Sequence, residues 1–273
     1  MSKSFVWGFI AGVVLLIVAG VGASRLQDKN ARLKAEDEKR YQIEVVDATP
    51  VQLGVLTEQQ RIHSKHFAYY KRQADSLPIY SKISEFFVNP RGKVMETIVC
   101  VGLTFMPESE TAERFFSDLA QKSDAIIRGK ATRKVSQITE DDAFIFTDYD
   151  VVVTEIYKDN AAAPLELEKT ITVTRPGGKV VVNGIVGKAT DECFTPLPLN
   201  HDVVLFLKFI PETGAYKATQ DTGSFELDGA KVRPLTEDHF PFGVIEDRQS
   251  LLQIRVIQDA QLFLQTVRTV SNK

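Results

Sequence analysis

Hydrophobic and polar positions along the chain fall into three regimes. The first is an unbroken apolar run, FVWGFIAGVVLLIVAGVGA over residues 5–23, with neither charge nor proline. Its nineteen residues span roughly 28 Å as a helix, about the hydrocarbon thickness of a bilayer. A helix of a soluble domain keeps a polar face, and this stretch has none. The pattern therefore predicts a transmembrane anchor that includes Phe5, Trp7, Leu15, Leu16 and Ala23, after a tail of residues 1–4. The small-residue ending Val21-Gly22-Ala23 also fits a cleaved leader, but the run exceeds the usual leader core and favours an uncleaved anchor. Gly8 and Gly12 form a GxxxG, a spacing that lets two membrane helices approach closely.

The second regime, residues 24–48, is highly charged with both signs from Ser24 to Glu44 and has neither glycine nor proline. Such a stretch reads as a solvated helical stalk continuing the anchor. Leu26 and Leu33 alone do not make the sustained heptads of a coiled coil.

The third regime begins at residue 49. A preface over 49–122 opens with Thr57-Glu58-Gln59-Gln60, a capping box that predicts a helix through about Arg72, with Ile62, Phe67 and Tyr70 inward. Residues 93–105 (KVMETIVCVGLTF) read as a strand. Ala112, Phe115, Phe116, Leu119 and Ala120 then recur at helical spacing as one apolar stripe, with Glu108, Glu110 and Glu113 at its start, where negative charge suits the helix dipole.

Over residues 123–235 the pattern shifts to short β-branched and aromatic segments. DAIIRGKATRKVSQI carries a bend or bulge signal at Gly129, and FIFTDYDVVVTEIY is a second long strand. TITVT alternates strictly, Pro176-Gly177-Gly178 turns the chain, and Lys179 to Val182 are expected to return along it. A continuous apolar strand over 203–209, a turn over 211–214, a strand over 215–219, and a hairpin at Asp228-Gly229 follow. Residues 236–273 close the chain with a helix expected to start at a cap on Asp247 and run through Leu251, Leu252, Ile254, Ile257 and on to Val267. The fold class expected is α+β with a mainly β core, a barrel or sandwich flanked by amphipathic helices.

The succession DAIIRGKA, YDVVVTEIYKD, KTITVTRPGG, HDVVLFLKF and GAYKATQDTGSFEL resembles the five-strand plan of netrin-like, OB-type barrels over about residues 123–232. The resemblance implies an OB-type barrel of the kind carried by secreted or membrane-anchored proteins. It does not bring the metalloproteinase-inhibitor activity of some relatives, which rests on an N-terminal cysteine and several disulfides that this chain lacks.

Composition narrows the function. A net charge of −3 gives no basic excess for a nucleic-acid partner. Cys100 and Cys193 are too few for a four-cysteine zinc site. They can form one disulfide in an oxidising compartment or remain two buried thiols. Orientation signals conflict. Lys3 alone precedes the apolar run, whereas Arg25, Lys29, Arg32, Lys34, Lys39 and Arg40 follow it, which by the positive-inside rule places the large domain in the cytoplasm. The signal-like N-terminus and the secreted character of the β unit favour the extracytoplasmic side.

Candidate chemistry is sparse. No GxSxG, Walker A or dinucleotide fingerprint is present. His63 and His66 share a helix face, and Asp148 and Asp150 share a strand face near Glu140-Asp141-Asp142, so these are the metal-ligand candidates. The same residues also fit plain surface histidines and a polar turn. The leading expectation is a membrane-anchored binding or assembly module without catalysis or cofactor, partnered by the lipid bilayer and by protein or a second copy of itself. The alternative is a metal-dependent hydrolase using His63/His66 or the Asp141–Asp150 acids.

Overall fold

The computed structural model describes residues 29–70, 87, 94–99, 112–191, 194–219, 223–235 and 259–272. The anchor run 5–23, with Phe5, Trp7, Leu15, Leu16 and Ala23, lies outside the described residues, as do Cys100 and Cys193. Among the described residues no helix is long and apolar enough to cross a membrane. The chain divides into two units, Met1–Asp47 and Ala48–Lys273. In the first, residues 29–46 form helix α1, exposed at every position from 29 to 40, as mixed charge on all faces requires.

The second unit is mixed α+β and mostly β. It runs β1 (Thr49–Pro50), α2 (Glu58–Lys65), β2 (Val94–Val99), α3 (Ala112–Lys122), β3 (Ala125–Ile138), β4 (Ile145–Lys158) and β5 (Thr170–Pro176). There follow β6 (Gly178–Val182), β7 (Ile185–Asp191), β8 (Asp202–Ile210), β9 (Ala215–Ala218), β10 (Ser224–Asp228), β11 (Lys231–Pro234) and α4 (Ala260–Ser271).

The larger sheet has seven strands in the order β11-β10-β8-β3-β4-β5-β9. β3, β4 and β5 form an antiparallel meander, and β8 returns by a long connection to lie beside β3, which is Greek-key order. β9 pairs parallel with β5 (Val173 opposite Tyr216) and antiparallel with β8 (Phe209 opposite Tyr216). β9 therefore has a ladder partner on each side, β5 and β8.

Alternation along these strands decides which side each residue faces. Val203, Leu205 and Leu207 join Ile127, Val151, Val173 and Tyr216 in one apolar cluster. Val204 and Phe206, the residues between, join Ile126 and the inward faces of α3 and α4 in another. β8 is buried on both sides, which is why its sequence is continuously apolar instead of alternating. On α3 the expected stripe is buried at Phe115, Phe116, Leu119 and Ala120, and the Phe116 ring lies 5.4 Å from Phe263 of α4. The bulge expected at Gly129 is present as a register shift in the β3–β4 ladder, where a Cβ would lie 2.6 Å from the Val152 carbonyl oxygen.

Several expectations need correction. Residues 179–182 do not return along β5. Gly177 and Gly178, at φ 85° and 151°, turn the chain into a second sheet of order β1-β6-β7-β2. Only glycine fits at 178, because a Cβ there would lie 2.3 Å from the Thr147 hydroxyl. β6 and β7 are joined by Asn183-Gly184, at φ 50° and 76°, the positive pair that a two-residue hairpin demands. The second sheet therefore takes β1 and β2 from the preface and its central hairpin from the β region. α2 ends at Lys65 instead of near Arg72, with His66 as its C-cap, although Phe67 and Tyr70 are buried as expected and Ile62 is half-buried. The last helix begins at Ala260, because Asp259 is extended and caps it by accepting from the Leu262 N–H. Asp247 and residues 251–257 lie outside the described residues.

Candidate functional site

A buried polar site lies where α2 meets β4, the 139–144 loop and the 211–214 turn. Its placement starts with the capping box. The Thr57 hydroxyl accepts from the Gln60 N–H and the Gln60 side chain accepts from the Thr57 N–H, so the helix starts at a defined residue. Two turns on, His63 and Ser64 point into the protein. His63 is fully buried. Its Nδ1 lies 2.9 and 3.0 Å from the two carboxylate oxygens of Asp148 on β4, and its Nε2 lies 3.0 Å from the Thr213 hydroxyl. A carboxylate only accepts, so Nδ1 carries the proton and, in the neutral ring, Nε2 accepts from Thr213. The Ser64 hydroxyl accepts from the Glu140 N–H at 2.8 Å, and Arg61 pairs with the Glu140 carboxylate at 3.2 Å.

One turn further, Lys217 of β9 donates to His66 Nδ1 at 3.3 Å. Lys217 stands directly opposite Lys208 on β8, whose own charge is answered by Asp124 at 2.8 Å. Burial, followed by the neighbouring Lys217 ammonium and the His63 ring, holds the His66 imidazole below its ordinary value, with Glu212 opposing. Burial and then Lys208 push the Lys217 ammonium down as well.

Carboxylate, imidazole and hydroxyl stand here in the order of a nucleophilic triad, but the surroundings are those of a clamp. The N–H groups of Thr213 and Gly214 both donate to the Ile210 carbonyl, at 3.2 and 3.0 Å, and the Ala215 N–H donates to the Thr213 hydroxyl at 3.4 Å. The donors of this turn are therefore engaged with the turn itself and do not point at an oxyanion position. The imidazole is sealed, and its two bonds tie α2 to a strand and a turn that are far away in sequence.

The candidates read from the sequence are drawn toward this region but do not converge on one ligand position. His63 binds Asp148, His66 meets Lys217, and Asp150 accepts from Arg133 Nε at 2.6 Å. Asp141 accepts from the Ala143 N–H at 3.2 Å within the turn, and Glu140 pairs with Arg61. Among the described residues, no three His, Cys, Asp or Glu side chains are grouped so as to hold a metal ion.

Thr213 and Lys217 carried no signal in the sequence. Nor did Arg175, the largest fully buried side chain among the described residues. Its guanidinium donates to the Ser224 hydroxyl at 2.5 Å and the Thr195 carbonyl at 3.0 Å, and sits 5.4 Å from the Phe194 ring centre. Its Nε has no hydrogen-bond partner. Burial pulls this group down to about 10, against the opposing pull of Tyr149, Asp191 and Tyr70. Asp191, also buried, accepts from the Tyr70 hydroxyl, which burial holds far above its ordinary range.

No protein-family model matches this chain, and no curated protein or solved structure matches it.

Proposed function

We propose that this chain is a single-pass, membrane-anchored module for binding or assembly, without catalysis. The 5–23 run holds it in the bilayer, α1 acts as the stalk, and the unit from Ala48 onward stands on the extracytoplasmic side. Within that unit β3, β4, β5, β8 and β9 form an OB/netrin-like barrel. Support comes from the Greek-key order of these strands and from β9 pairing on both sides. OB-type barrels engage ligands on the face of their second and third strands and on the loops after the first and fourth. Here these are β4 and β5 with the 139–144 and 211–214 segments. The single observation that carries the reading is that α2 touches β4 and both of those segments at once. The partner expected is a protein or a second copy of the chain, the latter favoured by the Gly8/Gly12 pair in the anchor.

The extracytoplasmic assignment carries a disulfide between Cys100 and Cys193 with it. A non-reducing peptide map of protein from intact membranes should contain the Cys100–Cys193 linked peptide. Free thiols at both positions would count against that side of the membrane.

The binding reading is tested with a photo-crosslinking residue at Glu212, beside α2, and a control at exposed Glu166 in the β4–β5 connection, both in the full chain in its native membrane. A discrete heavier adduct at Glu212 and none at Glu166 is expected. Absence of an adduct at both positions would overturn the reading.

A further inference from the structure

Resting on the reading of β4 and the 139–144 and 211–214 segments as the binding surface, we propose that the Lys217–His66 contact is an acid-labile latch holding α2 over that surface. The helix covers it with polar groups: its buried residues are His63 and Ser64. Hydrogen bonds of this kind replace bonds to water and add little net stability, so such a cover is held less firmly than an apolar one. Phe67 and Tyr70, buried in a separate apolar cluster, keep the following chain attached, so opening is local to α2.

Titration enters at His66. An ammonium donates only to an unprotonated ring nitrogen, so the 3.3 Å contact exists with neutral His66 and is lost when the ring gains a proton. Protonation places two cations face to face in a half-buried setting. The groups that bear on His66 add little relief. Lys217 and, opposite it, Lys208 are cationic; His63 is next along the helix; Glu212 is the opposing carboxylate. Arg61 and Glu140 pair with each other, and Asp124 is engaged by Lys208. His63 is engaged at both ring nitrogens, by Asp148 and by Thr213. The closed form holds fewer protons at His66 than the open one, so falling pH favours opening, beginning below the ordinary imidazole value of 6.5.

The test is hydrogen exchange of the full chain in lipid nanodiscs at pH 7.5 and 5.5, corrected for the intrinsic pH dependence of exchange. Protection across α2 should fall roughly three- to tenfold at the lower pH, within the limit of about tenfold per pH unit that one proton sets. His66→Gln keeps an acceptor for Lys217 but does not titrate, and should hold its protection at both values. Lys217→Met, which removes the facing cation, should shrink the loss. Unchanged α2 protection in the wild type, or the same loss in His66→Gln, would overturn the latch. Glu212 crosslinking separates this from the binding reading. An adduct with acid-insensitive α2 sinks the latch alone, whereas acid opening without any adduct leaves the latch and sinks the binding reading.

Discussion

Helix α3 meets the seven-stranded sheet with Phe115, Phe116, Leu119 and Ala120, whereas α2 meets it with an imidazole and a hydroxyl. Both helices dock on the same β unit, but the physics differs. The α3 contact is non-directional and scales with apolar area, so pH and salt leave it largely untouched. The α2 contact depends on donors and acceptors in fixed places, and each buried group that loses its partner becomes a cost. One helix holds the fold together, and the other responds to its surroundings.

Substitutions can sharpen that contrast. The largest effect is expected from Phe116→Ala, which empties a site lined by Phe206, Phe225 and Phe263. It should cost about 3–5 kcal/mol in denaturant unfolding, with little change between pH 7.5 and 5.5. Asp148→Ala comes next. It leaves the buried His63 Nδ1–H without an acceptor and should cost about 1–3 kcal/mol. A paired His63→Leu and Asp148→Leu replacement should cost less than the single change, and a larger cost would show that the pair does more than satisfy itself.

Acid titration of stability should come in two stages. His66 is depressed in the folded state, so the unfolded chain takes up a proton first, and stability declines as pH falls below 6.5. Asp124, Asp202 and Glu226 are held below their ordinary values by Lys208, Arg128 and Arg233 respectively, despite burial. Their contribution is present at neutral pH and is lost below the ordinary carboxylate range of 3.8 to 4.5. His66→Gln should remove the first stage and leave the second. The smallest effect is expected from Arg61→Ala, whose partners Glu58 and Glu140 are solvent-exposed, and it should stay within about 0.5 kcal/mol. A larger loss would mean that surface ion pairs, and not the buried histidine, hold α2 in place.

The same contrast explains what could be read from the sequence. The α3 stripe, the Thr57–Gln60 box and the Asp228-Gly229 hairpin are local patterns, and the structure contains each of them. Asn183-Gly184 was equally local, set between Val180 to Val182 and Ile185-Val186, and was legible as a hairpin that the Pro-Gly-Gly turn beside it obscured. His63, His66 and Asp148 stand out singly in the sequence, but their pairing does not: His63 finds its partners 85 and 150 positions away, and nothing near Thr213 marks it out from other polar turn residues. Arg175, in an alternating strand beside Pro-Gly-Gly, has the sequence of a solvent-facing arginine. Its buried partners, the Thr195 carbonyl and the Ser224 hydroxyl of β10, lie 20 and 49 positions further along the chain.

The barrel proposed for β3, β4, β5, β8 and β9, with one face beneath α2, depends most on β9. Cross-strand NOEs from Tyr216 and Lys217 in the isotope-labelled chain are the direct test. The account predicts contacts both to Val173 and Thr174 of β5 and to Lys208 and Phe209 of β8. Contacts to β8 alone would leave the sheet open and contradict it.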